Sequence, residues 1–345
     1  MPGILFVGGA SIGHIAPSVA VQEALETMMP GIQTHFLCSP SALETDFIRK
    51  NGYDYSTLDS PRISIAFPWK FIRAYKQAGD ILDTVRPEVI FSKGGHISVP
   101  VCFAAKHRNI PIVLHESDSV SGRANRLVGM WATKICTGFP LRTDAKYVHT
   151  GNPVRSVVTN GTRADGMRIT GFQSNRPVLL IAGGSQGAKA INDAVASHIH
   201  ELLEQCDVIH ITGKGKTGAP IEDSRYFPCE FAREELPHFY AMADLAISRA
   251  GAGTLAELAV NGIPTIVVPL RNVGHDHQQK NAEAAVKTGG CILLDQSNLE
   301  NKLVETVNTC LSDKNLRQSM SECIRELSAQ EASLQIAKIL SEFLA

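Results

Sequence analysis

The stretch that most limits what this chain can fold into is residues 244–281, DLAISRAGAGTLAELAVNGIPTIVVPLRNVGHDHQQKN. It reads as two consecutive strand-to-helix units. An apolar strand at 245–248 meets a turn of Gly251, Ala252 and Gly253, with a helix from Thr254. A second strand at 265–269 then meets a polar loop that opens another helix. Parallel strands need helical crossovers, so both helix starts should open on the same edge of one parallel sheet. The first N–H groups of a helix are unpaired, the macrodipole is positive there, and glycine lets a ligand approach closely. A phosphate-bearing ligand is therefore expected at this edge.

The same unit recurs along the chain. A strand at 4–7 runs into GGASIGHIAP and a helix at 16–28, a poor fit to the dinucleotide-binding glycine pattern, and VLLIAGGSQGAKAINDAV repeats the unit after residue 177. Between them lie a strand at 34–37, a helix at 41–51 and a short strand near Tyr55. VIFSKGGHISVP and PIVLHESDSVSGRANR follow, each a strand ending in a glycine or polar loop. His96, His115, Glu116 and Asp118 then fall at strand ends on the edge that carries His14, as a polar wall of a substrate cleft or, alternatively, as loop caps. Their spacing is not that of a zinc site. GNPVR breaks the pattern and divides the chain into domains at 1–153 and 154–331, followed by a final helix within 332–345. The architecture expected is α/β: two doubly wound Rossmann-like domains facing across a cleft.

Charge narrows the partners. The net charge is −1, which argues against nucleic acid as a ligand, since its phosphates demand a basic face. Residues 1–153 carry +3 against −4 for the remainder. Within them PRISIAFPWKFIRAYKQ alternates Arg62, Lys70, Arg73 and Lys76 with Ile63, Ile65, Phe67, Trp69, Phe71 and Ile72, and no acidic residue lies between Asp59 and Asp80. Such a segment suits an anionic membrane surface; the alternative is an amphipathic helix that uses its aromatics as core. The eight cysteines show no C-x-x-C pair, so reduced core thiols in a cytoplasmic setting are expected. No leader sequence and no apolar run of about 18 residues is seen, which leaves a soluble or peripheral protein.

Six motifs in fixed order, GGASIGHIAP, HESDSVSGRANR, GNPVR, GGSQGAKAIN, SRAGAGTLAEL and DHQQKNA, resemble those of the MurG family of bacterial glycosyltransferases over roughly residues 5–295. The resemblance implies the GT-B fold, with the final helix returning to the N-terminal domain. It also implies inverting transfer of N-acetylglucosamine from UDP-N-acetylglucosamine to undecaprenyl-pyrophosphoryl-N-acetylmuramyl-pentapeptide (lipid I), giving lipid II for peptidoglycan. The setting would be the cytoplasmic face of the bacterial membrane, with peripheral attachment to its anionic surface. No cofactor or metal is implied, and no D-x-D motif occurs that would hold a metal-bound diphosphate.

Roles carry over on the same terms. Ala252, Gly253 and Thr254, with Leu255 and Ala256 behind them, would present backbone N–H groups to the pyrophosphate. Glu257 would accept from both ribose hydroxyls, although Thr254-x-x-Glu257 is also a capping-box pattern. Gln278 and Asn281 would read the sugar, Ala232 would meet uracil through its backbone, and Arg155 would lie near the nucleotide. Ser185 and Gln186 would approach the diphosphate or acceptor from the other turn, and Ser11, Ile12, Gly13 and Asp118 complete the donor-binding set. His14 is the leading candidate for base or acceptor positioner, its ordinary pKa of about 6.5 suiting proton transfer at neutral pH, and Glu116 is assigned to catalysis beside it.

Two departures stand out. The family's six-residue first loop, G-G-T-G-G-H, is one residue longer here, with Ile12 at a glycine position, and its H-E-Q-N is His115-Glu116-Ser117-Asp118. An amide that donates and accepts is thus replaced by a carboxylate that, ionised, only accepts. Three other readings stay open at this stage: a UDP-sugar transferase with another acceptor, a UDP-N-acetylglucosamine 2-epimerase, and a non-catalytic UDP-sugar binder.

Overall fold

The computed structural model describes residues 3–9, 12–60, 67–142, 144–173, 175–184, 187–270, 276–328 and 331–344. The chain forms two compact units, Met1–Arg155 with Glu331–Ala345, and Ser156–Gln330.

In the first unit, seven strands form one parallel sheet: β1 (Ile4–Val7), β2 (Thr34–Cys38), β3 (Tyr55–Thr57), β4 (Val89–Ser92), β5 (Ile112–Glu116), β6 (Lys134–Thr137) and β7 (Tyr147–His149). Their order is β3-β2-β1-β4-β5-β6-β7, so the winding reverses between β1 and β4. The helices are α1 (Ile12–Met28), α2 (Ala42–Lys50), α3 (Phe67–Val85), α4 (Ser98–His107) and α5 (Arg123–Trp131). Strand side chains alternate between two cores. Leu5 and Val7 pack with α3, α4 and α5, while Ile4 and Phe6 pack with α1 and α2. Phe6 stacks on Phe36, which stacks on Tyr53.

The second unit holds β8 (Val178–Ala182), β9 (Asp207–Ile211), β10 (Tyr226–Cys229), β11 (Leu245–Ser248), β12 (Thr265–Val267) and β13 (Cys291–Leu293), also all parallel. Their order, β10-β9-β8-β11-β12-β13, reverses between β8 and β11. Around the sheet run α6 (Arg163–Thr170), α7 (Lys189–Gln205), α8 (Leu236–Met242), α9 (Ala252–Val260), α10 (His277–Lys287), α11 (Leu299–Ser312) and α12 (Lys314–Ile324). Helices α7 and α11 cover one face through Ile191, Val195, Leu303 and Val307. The last helix, α13 (Ala332–Ser341), packs on α1 and adds Ile336, Ala337 and Leu340 to the first unit's core.

Two helix starts differ from the sequence reading. Helix α1 begins at Ile12 rather than residue 16 and carries Pro17 within it, which places His14 in its first turn. Helix α9 begins at Ala252 rather than Thr254, capped by Gly251 in extended conformation. Glycine at Gly253 costs the helix little, because first-turn residues donate no intrahelical bond. The eight cysteines are unpaired. Among the described residues no helix is long and apolar enough to cross a membrane.

Candidate active site

In an open doubly wound sheet, ligands bind beyond the strands' carboxyl ends where the winding reverses. In the first unit that point joins Gly8 and Gly9 after β1 to Lys93, Gly94 and Gly95 after β4. Gly94 has φ +81°, and a side chain on it would run into Asn125, so only glycine fits between β4 and α5. Beside it, a Cβ on Gly95 would press on the His14 ring.

His14 therefore sits at the switch point. Burial is the main cause of its lowered pKa, reinforced by Lys93 and, weakly, His96. The Gly9 carbonyl and Asp118 oppose the shift. The Gly9 carbonyl lies near the ring without meeting strict hydrogen-bond geometry at Nδ1. The imidazole is thus biased toward its neutral form, the form that accepts a proton.

Glu116 is almost fully buried, and its carboxylate is engaged by its own loop. One oxygen accepts from the Asp118 N–H at 3.2 Å; the other accepts from the Gly122 N–H at 3.3 Å and Asn125 Nδ2 at 2.8 Å. Burial raises its pKa, and these donors counter the rise. These bonds hold Glu116 in the turn that carries Asp118. His115 likewise lies beneath the surface, with Nε2–H donating to the Gly151 carbonyl at 3.0 Å and Nδ1 facing Lys93 Nζ at 2.6 Å. The asparagine of GNPVR, Asn152, donates to the Ser117 carbonyl at 3.1 Å.

In the second unit the switch point joins the turn after β8 to the turn after β11. Ser185 and Gln186 lie outside the described residues, as does Ser11 in the first unit. Gly187 has φ +65°, and any Cβ there would strike the Thr212 carbonyl. Thr212 is itself held by a buried chain of donors. The Ala219 N–H donates to the Tyr226 hydroxyl, the hydroxyl to His210 Nδ1, His210 Nε2–H to Asn192 Oδ1, and Asn192 Nδ2 to the Thr212 carbonyl.

At the start of α9, Gly253 is exposed and Thr254 half-buried, so the N–H groups of Ala252, Gly253 and Thr254 form the open positive end of the helix. Leu255 and Ala256 do not join them: both side chains are core, and the Leu255 N–H donates to the Gly251 carbonyl at 2.9 Å. Glu257 lies on the second turn, not the first. Because Gly251 rather than Thr254 is the cap, the capping box is absent; Glu257 Oε2 instead accepts from the Tyr240 hydroxyl at 2.8 Å.

Gln278, second residue of α10, accepts from the Leu270 N–H at 3.1 Å. Asn281 is buried, and its Nδ2 donates to the Ala250 carbonyl at 3.2 Å, bracing the turn before α9. Ala232 is half-buried in the loop between β10 and α8. Arg155 ends the first unit with its guanidinium 5.5 Å from the Phe47 ring centre. Gly13 is exposed on α1 beside Ile12, the first residue of that helix. Among the described residues no group of three or more His, Cys, Asp or Glu side chains is placed to hold a metal.

Two doubly wound parallel-sheet domains with glycine turns at their switch points define the GT-B fold. The crystal structure of Acinetobacter baumannii MurG has this fold, matching with a TM-score of 0.78 at 24% identity over 99% of this chain and 100% of that one. The chain belongs to glycosyltransferase family 28: the family's N-terminal domain matches residues 4–137 and its C-terminal domain residues 178–337. Two curated relatives are named UDP-N-acetylglucosamine--N-acetylmuramyl-(pentapeptide) pyrophosphoryl-undecaprenol N-acetylglucosamine transferase. The protein from Lachnoclostridium phytofermentans is 34% identical over 99% of each chain. That from Clostridium kluyveri is 37% identical over 88% of this chain and 89% of its own.

Proposed function

We propose that this enzyme transfers N-acetylglucosamine from UDP-N-acetylglucosamine to the undecaprenyl-pyrophosphoryl-N-acetylmuramyl-pentapeptide acceptor, lipid I, with inversion, making lipid II for peptidoglycan. The observation that carries this reading is the near full-length similarity to relatives bearing that name. The site chemistry agrees with it.

On the donor side, the open start of α9 offers N–H groups to the UDP pyrophosphate. There they stabilise the negative charge that grows as UDP leaves, without a metal. Glu257, already oriented by Tyr240, accepts from the ribose hydroxyls. The amide hydrogens of Gln278, whose oxygen accepts from Leu270, serve the sugar. Ser185 and Gln186 serve the diphosphate, Ala232 the uracil, and Arg155 the nucleotide. Ser11, Ile12, Gly13 and Asp118 complete the donor-binding set, and neutral His14 takes the proton from the acceptor's attacking hydroxyl. The anomeric carbon passes through an oxocarbenium-like state.

The membrane setting is part of the same proposal. Helices α3, α4 and α5 lie side by side on one face of the first sheet. Trp69 is 79% exposed on α3 and Met130 67% exposed on α5, flanked by exposed Lys70, Arg73, Lys76, Arg123 and Arg126. Apolar side chains ringed by cations suit peripheral attachment to the anionic cytoplasmic leaflet, where the lipid-linked acceptor resides. The test is incubation of purified protein with labelled UDP-N-acetylglucosamine and a lipid I analogue. Label in the lipid fraction supports the reading; label that stays in the water-soluble fraction refutes it.

A further inference from the structure

Lys93 directly follows β4, and only 3% of it is exposed. A buried ammonium needs close partners, and Nζ has two at 2.6 Å, His115 Nδ1 and Ser117 Oγ. Because His115 Nε2–H donates to the Gly151 carbonyl, its Nδ1 carries the lone pair, and the hydrogen in the Lys93–His115 contact belongs to the lysine. Ser117 is fixed from its other side by Asn152. Lys93 thus ties the ends of β4 and β5 and the GNPVR loop into one rigid knot next to His14.

The other charged and titratable groups facing this pair come from several elements. His14 itself is on α1, His96 lies before α4, Glu116 and Asp118 end and follow β5, and Cys136 is on β6. Glu116 is engaged by three donors of its own loop. We propose that Lys93 is a positioning residue of the transfer reaction: locked between His115 and Ser117, its ammonium holds the Ser117–Asp118 turn beside His14 and keeps the pocket's extra proton off the His14 ring. The role of His14 as base rests on the transferase reading; the Lys93–His14 coupling does not.

The proton affinities follow this geometry. Burial brings Lys93 down to about 7, with Glu116, Asp118 and Cys136 opposing the fall. His14 is lowered from its ordinary 6.5 by burial and then by Lys93. As pH falls through neutrality Lys93 gains its proton first, and its charge then disfavours a second proton on His14. The ring stays a free base where an unassisted histidine would be half protonated.

Lys93→Met removes the charge and keeps the length, and Lys93→Arg keeps the charge. In the Met variant the acid limb of kcat/KM should move up by about one pH unit, with KM for UDP-N-acetylglucosamine unchanged, while the Arg variant keeps the wild-type limb. NMR titration of the His14 ring should show the same upward shift in the Met variant. A folded Met variant with an unmoved acid limb and an unmoved His14 titration would overturn the proposal. So would an Arg variant that behaves as the Met variant does. Should the Met variant not fold, the wild-type titration decides: His14 must protonate below its ordinary 6.5, and an ordinary or raised value refutes the idea. If wild-type protein transfers no sugar, the transferase reading fails, while the NMR titration still judges the coupling.

Discussion

Under the proposed function, Glu257 is the acceptor for the ribose diol. The Tyr240 hydroxyl fixes one of its carboxylate oxygens at 2.8 Å on the second turn of α9. Hydrogen bonds to a charged group are each worth about 1.5–3 kcal/mol, so Glu257→Ala should weaken UDP binding by roughly tenfold or more, read by calorimetry. Unchanged affinity in a folded variant would remove Glu257 from the nucleotide site. His210 has a different task. Burial lowers its pKa to about 4, so the unfolded chain binds a proton there between pH 6.5 and 4 that the folded chain refuses. Stability is therefore full above about 6.5 and falls as pH drops through this window, by on the order of 3 kcal/mol from this residue. The urea midpoint should fall between pH 6.5 and 4, and less steeply in His210→Asn; equal slopes would show that His210 contributes nothing to acid sensitivity. Neither Lys93 nor His210 stands out in the sequence. Each acquires its role only when residues far along the chain close around it: His115 lies 22 positions beyond Lys93, and Asn192 lies 18 positions before His210.

At the scale of elements, most of the architecture is legible because apolar runs such as those of β1, β4, β8 and β11, four or five residues each, end in glycine or polar turns. The errors fall at helix starts. Gly-Ala-Gly reads as a turn, yet in α9 Ala252 and Gly253 already belong to the first turn. Pro17 reads as lying near a helix start, yet in α1 it sits on the second turn, where the helix forgoes one donor. Helix α3 answers the question its composition left open in part. Ala74, Ala78 and Leu82 form its buried stripe and Trp69 stands outside it. Residues 61–66, including Arg62, Ile63 and Ile65, lie outside the described residues. Replacing Trp69 with Glu should reduce sedimentation with anionic phosphatidylglycerol vesicles while thermal stability holds; undiminished sedimentation would take α3 out of the membrane contact.

At the scale of the whole molecule, the two units repeat one design, a parallel sheet whose winding reverses once, with glycine turns crowding that point. The repetition is what six ordered motifs encode, and it explains why the family was visible where individual roles were not. A motif preserves the loop's path. Whether Asn281 or Glu116 turns toward solvent or into the loop beneath it depends on the surrounding packing. Longer by one residue at the first loop, and carrying Asp118 where the family motif has an asparagine, this chain departs from the family's motifs at the edge of the first unit's sheet. The most direct test of the account is analysis of the product formed from UDP-N-acetylglucosamine and a lipid I analogue. Mass spectrometry should show one added N-acetylhexosamine on the lipid-linked sugar, and NMR should show its anomeric centre inverted relative to the donor. Unmodified acceptor, free or epimerised sugar, or retained configuration would contradict it.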